Sequence, residues 1–346
     1  MQTIVKQVVG IDVAQKELVV CLGRMDNTWS PELYAHKVFT NTASGMASLV
    51  SWVKQRTAEG TDLRFVLEAT GVYHESLAYF LHEQGYCLSI IMPSRISNFA
   101  RTLSTKTITD KTASEAIAMF GLEKKLTDWV PAAAIYKSLR QLTRERDQLV
   151  QMRTIAQNHL HAEQAEARPD SRSIERMNQQ IALFNKQEEE IMGQIREAQK
   201  SHEGIRRQAA ILTSVPGIGI LTATTILAET NGFELIRNKK QLTSYCGLDV
   251  KEKQSGTSVK GKPRISKKGN RYLRKAMYMP ALTAVRCDER FKAIFARLIS
   301  RHGINMKAYV AIQRKLLELA YTLYKNNTKY NPDYLKKLEN SNRAVL

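Results

Sequence analysis

Apolar and polar positions alternate along the first forty residues. The runs VVGIDV and ELVVCLG within residues 6–23, with a third at residues 36–40, predict three strands joined as an antiparallel meander. The period then lengthens. Residues 47–56 carry Leu49, Trp52 and Val53 at helical spacing, residues 63–67 form a short apolar strand, and a helix over 73–83, a strand over 86–92 and a helix over about 112–125 follow.

That order of elements describes a mixed sheet with helices on its faces, the pattern of an RNase H-like domain. The composition shifts over residues 135–207, where Arg, Gln, Glu and Ala dominate and Pro169, Asp170 and Ser171 are the clear interruption. A long helical hairpin is expected there. Its second arm repeats Ile174, Met177, Ile181, Phe184, Ile191, Ile195 and Ala198 at three-four spacing broken by Glu188, and its first arm offers Ile135, Leu139, Leu142 and Leu149. Two readings of this stripe stay open, an antiparallel pair within the chain and a coiled-coil dimer arm. After residue 211 come a Thr- and Ala-rich helix over 221–229, a helix over 239–246, a basic Gly-containing stretch, and helices over 275–285, 291–301 and 307–324. The fold class expected is α/β plus mostly α.

Charge narrows the partners. The 346 residues carry 52 Lys and Arg against 33 Asp and Glu, a formal net charge of +19. Such an excess marks a polyanion binder, with nucleic acid the first candidate. No apolar run approaches the roughly 18–20 residues of a spanning helix, and the first ten residues lack the apolar core of a signal peptide. A soluble, cytoplasmic protein without a membrane partner is expected. Cys21, Cys87, Cys246 and Cys287 lie far apart, and the seven histidines show no zinc-binding spacing.

Three features carry candidate chemistry. Asp12 sits in the first strand, Glu68 ends the strand RFVLE, and Asp110 opens the helix near residue 112. Together they offer an all-oxygen ligand set suited to Mg²⁺, as phosphodiester chemistry requires. Singly, they read as a turn aspartate, a strand-end glutamate and a helix N-cap. Second, between Lys251 and Lys275 ten Lys or Arg face the single acid Glu252. Lys260, Lys262, Arg264, Lys267, Lys268, Arg271 and Arg274 are the expected phosphate contacts, and Ser255, before Gly256, is displayed among them as a candidate nucleophile or as part of a plain Ser/Gly linker. Nothing local supplies that serine with a base. Third, Gly217 and Gly219 in the turn SVPGIG are either the phosphate-binding hairpin of a helix-hairpin-helix module or an ordinary interhelical turn.

The segments GIDVAQKELVV, LEATGVYHESLAYFL, KTITDKTASEAIA, SVPGIG, YCGL, QSGTSVKG and ISKKGNRYLRKAMYMPA, in this order and nearly end to end, resemble the DEDD-type transposases of the IS-one-ten insertion sequences. The resemblance implies a RuvC-like catalytic domain over residues 1–130, a coiled-coil helical hairpin over 131–207 and a helical C-terminal transposase domain over 208–346. It implies recombination of donor and target DNA through a phosphoserine intermediate, a structured bridge RNA as guide, and a homodimer assembling to a tetramer. Asp12, Glu68 and Asp110 match the family's first three carboxylates, and Ser255 its serine. Ala113 stands where the family has its fourth carboxylate. An engineered inactivating change, a naturally impaired protein and replacement by Glu115 are the competing explanations; the first is favoured, because positions 113 and 115 do not share a helix face. A junction-resolving nuclease and a non-catalytic nucleic-acid scaffold stay open as alternatives.

Overall fold

The computed structural model describes residues 3–103, 107, 109–252, 254–255 and 259–333, with the backbone alone at 255, 259 and 260. The chain divides into two compact units, Met1–Pro131 and Ala132–Leu346.

In the first unit β1 (Ile4–Val13), β2 (Glu17–Asp26) and β3 (Pro31–Thr40) form the antiparallel meander. Helix α1 (Ala43–Lys54) leads to β4 (Leu63–Glu68), α2 (Glu75–Glu83) to β5 (Cys87–Ile91), and α3 (Pro93–Ala100) to α4 (Asp110–Glu123). The sheet order is β3-β2-β1-β4-β5, with β4 parallel to β1 and β5 parallel to β4. This is the RNase H-like arrangement. Each face of the sheet has its own core, because successive strand residues point to opposite sides. Val9, Ile11 and Val13 pack with Leu49, Trp52, Leu77 and Leu81 of α1 and α2. Val8 and Val66 pack on the other side with Ile96, Phe99, Ile117 and Phe120 of α3 and α4. Helix α3 was not expected from the sequence; its eight residues are too few for a clear period, and Pro93 at its first turn is the cue that marks it.

The register of α4 on β1 depends on Gly10. A Cβ there would stand 2.4 Å from the Ala118 nitrogen and 2.6 Å from the Ser114 carbonyl oxygen, so any larger residue would push the helix off the strand. Asp12, two residues on, faces the same side.

The second unit begins with α5 (Ala134–Gln164) and α6 (Ser171–Ser201), which pack against each other as the helical hairpin. Of the apolar stripe, Leu139, Ile191 and Ile195 are buried, while Ile174, Met177, Ile181, Phe184, Leu142 and Leu149 stay partly exposed. Glu188, the break in that stripe, accepts from Arg146 Nη2 at 2.5 Å and also from Arg153, both on α5, so an acid tolerates this position because two cations hold it. The second arm was expected to run to residue 207. It ends instead at His202, whose backbone is extended, and α7 (Glu203–Thr213) starts afresh.

Helices α8 (Ile220–Thr230), α9 (Lys239–Tyr245), α10 (Arg271–Ala276), α11 (Tyr278–Cys287), α12 (Glu289–His302) and α13 (Asn305–Asn326) share one core with the base of α5. The helix expected over 275–285 is two helices broken at Met277. Pro280 lies in the first turn of α11, where it has no N–H to continue a ladder from α10. The basic stretch is more ordered than a loop: β6 (Val250–Lys251) pairs with β9 (Arg264–Ile265), and inside that pair β7 (Gln254–Ser255) meets β8 (Val259–Lys260) antiparallel.

Candidate active site

Strand pairing and helix packing bring the carboxylates to one edge of the first unit. The parallel register of β1 and β4 sets Gly10 beside Val66 and Ile11 beside Leu67, and Asp12 and Glu68 are the next residues of their strands. Val8 and Val66 both approach Gly121 of α4, so Asp12 and Glu68, in phase with them, face that helix. Asp12 lies inside β1 opposite Val19 and is not a turn residue. Asp110 is the first residue of α4 but not its cap. Thr109 caps the helix, its hydroxyl accepting from the Thr112 N–H at 3.2 Å while Thr112 Oγ1 accepts from the Thr109 N–H at 2.8 Å. The Asp110 carboxylate is thus released from capping, on an exposed helix N-terminus that favours negative charge.

Burial and neighbouring charge act together on these groups. Burial, and then the negative charge of Asp110, raise the Asp12 carboxyl above its ordinary range, against a hydrogen bond from the Val13 backbone. Burial, and then the charge of Asp12, raise Glu68 likewise. Two half-buried acids that repel their neighbours form a site that a cation would relieve. The donor set, three carboxylates, fits a hard divalent ion. Among the described residues no group of three or more His, Cys, Asp and Glu is already closed tightly enough to hold a metal. The fold therefore offers a pair of acids on adjacent strands and a third across from them, rather than a finished cage.

Ala113 is one helical turn beyond Asp110, its N–H bonded to the Thr109 carbonyl, and it shares a helix face with Asp110. Glu115 is occupied elsewhere: its Oε1 is 3.1 Å from His36 Nε2 on β3. Sequence reasoning passed over Asn41 and His74 at this edge. Asn41 Nδ2 donates to the Ala14 carbonyl at 3.0 Å and the Tyr73 carbonyl at 3.2 Å, tying the turn after β1 to the segment between Glu68 and α2. Asn41 Oδ1 and His74 Nδ1 are buried without a hydrogen-bond partner among the described residues. A polar residue just after a strand, as Asn41 is, was the available signal.

In the second unit, Lys262, Arg264, Lys267, Lys268 and Arg271 are exposed and Arg274 half-buried. Ser255 stands in β7 across from Val259. Its hydroxyl and the Lys260 side chain lie outside the described residues, as do Gly256, Thr257 and Ser258. Gly217 holds φ at 82°, and a Cβ there would meet the Pro280 carbonyl oxygen at 2.4 Å, so packing on α11 accounts for this glycine. Gly219 is the N-cap of α8 and faces open space.

One acid anchors the basic segment from below. Glu229, 1% exposed, accepts from Arg144 Nε and Nη2 at 2.7 and 2.8 Å and from Asn270 Nδ2 at 2.6 Å, while its carbonyl accepts from the Tyr245 hydroxyl at 2.7 Å. Asn270 is also the N-cap of α10, so Glu229 fixes where that helix and its cations begin.

No helix among the described residues is long and apolar enough to cross a membrane. Two family models match the chain, a DEDD transposase model of the IS110 group over residues 9–165 and one described as the transposase IS116/IS110/IS902 family over residues 209–296. The pilin gene-inverting protein of Moraxella bovis is 27% identical over 337 residues, covering 94% of this chain and 98% of its own. An insertion element IS110 uncharacterized 43.6 kDa protein of Streptomyces coelicolor is 28% identical over 120 residues, 35% of this chain and 29% of its own. A solved structure of T. thermophilus RuvC in complex with a Holliday junction substrate covers 36% of this chain and 99% of its own, at 10% identity and a TM-score of 0.28, a likeness too slight to build on. The two models fall in chain order on the carboxylate unit and on the basic segment, and the chain belongs to the IS110 family of DEDD transposases, enzymes that act on DNA.

Proposed function

We propose that this transposase cleaves and rejoins DNA strands through a covalent phosphoserine linkage, with Asp12, Glu68 and Asp110 holding Mg²⁺ and Ser255 as the nucleophile. The observation that carries the reading is the placement of Asp12 and Glu68 side by side at the ends of paired strands, both facing the helix that Asp110 opens. Bound there, Mg²⁺ supplies a Lewis acid for the scissile phosphate. Ser255 Oγ bonds to phosphorus as the bond from phosphorus to a deoxyribose oxygen breaks; the serine gives up its proton and the leaving oxygen gains one. The linkage conserves the bond energy, so a second deoxyribose hydroxyl reverses the step on a new strand.

Lys260, Lys262, Arg264, Lys267, Lys268, Arg271 and Arg274 position phosphates of the DNA, and a structured guide RNA supplies the choice of sequence by base pairing. The carboxylates and Ser255 belong to different compact units, and in this reading they meet across subunits of a tetramer built from two dimers. With Ala113 in the fourth position the chain binds its substrates and chemistry is slow.

Trapping tests the mechanism. Denaturing gels of the chain incubated with donor and target DNA, its co-purifying RNA and Mg²⁺ should show protein joined to DNA, more of it with Ala113→Asp and none with Ser255→Ala. Equal cleavage by Ala113→Asp with and without Ser255→Ala would replace the serine with water and favour a junction-resolving nuclease. Sequencing the co-purified nucleic acid tests the guide: one structured RNA supports it, and bulk cellular RNA removes it.

A further inference from the structure

The second unit contains a cavity of about 880 Å³ beside the basic segment, walled by α5, α8, α10, α11 and α13. Its cations include Arg144, Lys267, Arg271, Arg274 and Lys275, and Asp147 is the one acid in its lining. Several of these charges are already spent. Arg144 is neutralised by Glu229, and Lys275 pairs with Asp147. Lys267, Arg271 and Arg274 make no ion pair among the described residues, although Arg271 Nη2 donates to the Tyr272 hydroxyl at 2.9 Å and Arg274 Nη1 to the Cys246 carbonyl at 2.7 Å, so the cavity keeps a net positive lining.

Its wall is also aromatic. The Arg144 and Arg271 guanidiniums lie 4.6 and 4.9 Å from the centre of the Tyr272 ring, which stiffens that side. Tyr278, half-buried, has no ring or cation against it among the described residues, and neighbouring Met279 is 63% exposed although it lines the same cavity. An open ring, an exposed thioether and unpaired cations are what a nucleotide needs, a face for the base and charge for the phosphate. Lys267 adds a second sign. It holds φ at 53°, a left-handed conformation that glycine or asparagine adopts at less cost, and its N–H is bonded to the Gly247 carbonyl at 3.0 Å. The Lys267 side chain lines the cavity.

The volume lies within the roughly 300–1,000 Å³ of small-ligand sites, enough for a few nucleotides. We propose that this cavity binds an unpaired nucleotide segment, stacking a base against Tyr278 and Met279 and holding its phosphates on Lys267, Arg271 and Arg274. The proposal rests on the reading that the chain works on nucleic acid, and adds that the basic segment captures a strand locally out of pairing. The chemistry is shared by a melted DNA strand and by a single-stranded stretch of RNA.

The test uses the full chain and fluorescence anisotropy with three probes of equal length: an oligo-dT, an oligo-rU and a DNA duplex. Tyr278→Ala and Met279→Glu should each weaken single-strand binding about tenfold and duplex binding less than about twofold, while Tyr278→Phe binds as the wild type does. Met279→Glu changes an exposed side chain, so a folding defect in Tyr278→Ala leaves the test intact. Lys267→Asn should weaken single-strand binding with no loss of melting temperature, since asparagine accepts the left-handed backbone. The larger loss, on oligo-dT or on oligo-rU, names the strand. Unchanged single-strand binding in Met279→Glu, or equal losses on duplex and single strand, would overturn the cavity proposal while leaving the nucleic-acid reading in place. Failure of the wild type to bind any of the three probes would overturn both.

Discussion

Glu229 and Asp12 are both acids drawn out of water by the helices around them, and their surroundings treat them in opposite ways. Glu229 has every charge answered: a bidentate arginine, an asparagine amide and a tyrosine on its carbonyl. Asp12 has a backbone hydrogen bond and, beyond it, the negative charge of Asp110, and its own charge acts on Glu68. A buried carboxylate that is fully paired holds structure together; one surrounded by its own sign spends stability to keep a ligand position open. On this ground Glu229 positions the basic segment, while the surroundings of Asp12 support the chemical role proposed for it.

The sharpest way to break that distinction is to neutralise each acid in turn. Asp12→Asn removes a charge the fold resists, so its melting temperature should equal or exceed that of the wild type. Strand cleavage, measured in an Ala113→Asp background, should fall by at least about 10²–10³-fold, the scale seen when a preorganised charge-stabilising group is lost. A thermal melt and a cleavage time course read the two effects separately. Lost stability with retained cleavage would put Asp12 in the structural class beside Glu229.

Glu229→Gln should do the reverse. It leaves Arg144 facing a neutral amide in a core position. Removing one member of a fully buried pair costs about 3–5 kcal/mol, and since the Arg144 side chain stays 40% exposed, about 2–3 kcal/mol is expected here. Urea unfolding of the chain measures it. The loss should be matched by Arg144→Met and should not add when the two changes are combined, because each removes the same contact.

The same contrast explains which features are legible in the sequence. Asp12, Glu68 and Asp110 were legible as candidates because Asp12 lies near the end of an apolar strand, Glu68 ends another and Asp110 opens a helix. Glu229 was not. It sits in a Thr- and Ala-rich helix with no local sign that Arg144, 85 residues earlier, would reach it, and pairing at that distance leaves no trace in spacing. The paired strands around Ser255 were missed because two-residue strands are too short for alternation to register. The break at Met277 was legible in principle from Pro280, but the apolar period runs across it and outweighed the proline.

The smallest test concerns the remaining cost at the carboxylate edge. His74 precedes α2 with Nδ1 buried and unpartnered among the described residues. Burial holds its pKa below 6.5, outweighing the Glu75 charge and the Thr70 and Gly71 backbone, which pull it up. A base lowered in the fold takes its proton more readily once unfolded. Stability is therefore full above pH 6.5, the unfolded value, and declines as pH falls through that value and the lower folded one. The wild-type melting temperature, taken relative to His74→Asn, should drop between about pH 7 and pH 5. The subtraction removes Asp12 and Glu68, which titrate in both proteins with the opposite sign, gaining stability as they protonate. Parallel curves would mean that the edge carries no such cost at His74, and that the open, unpaired character of this site resides in the carboxylates alone.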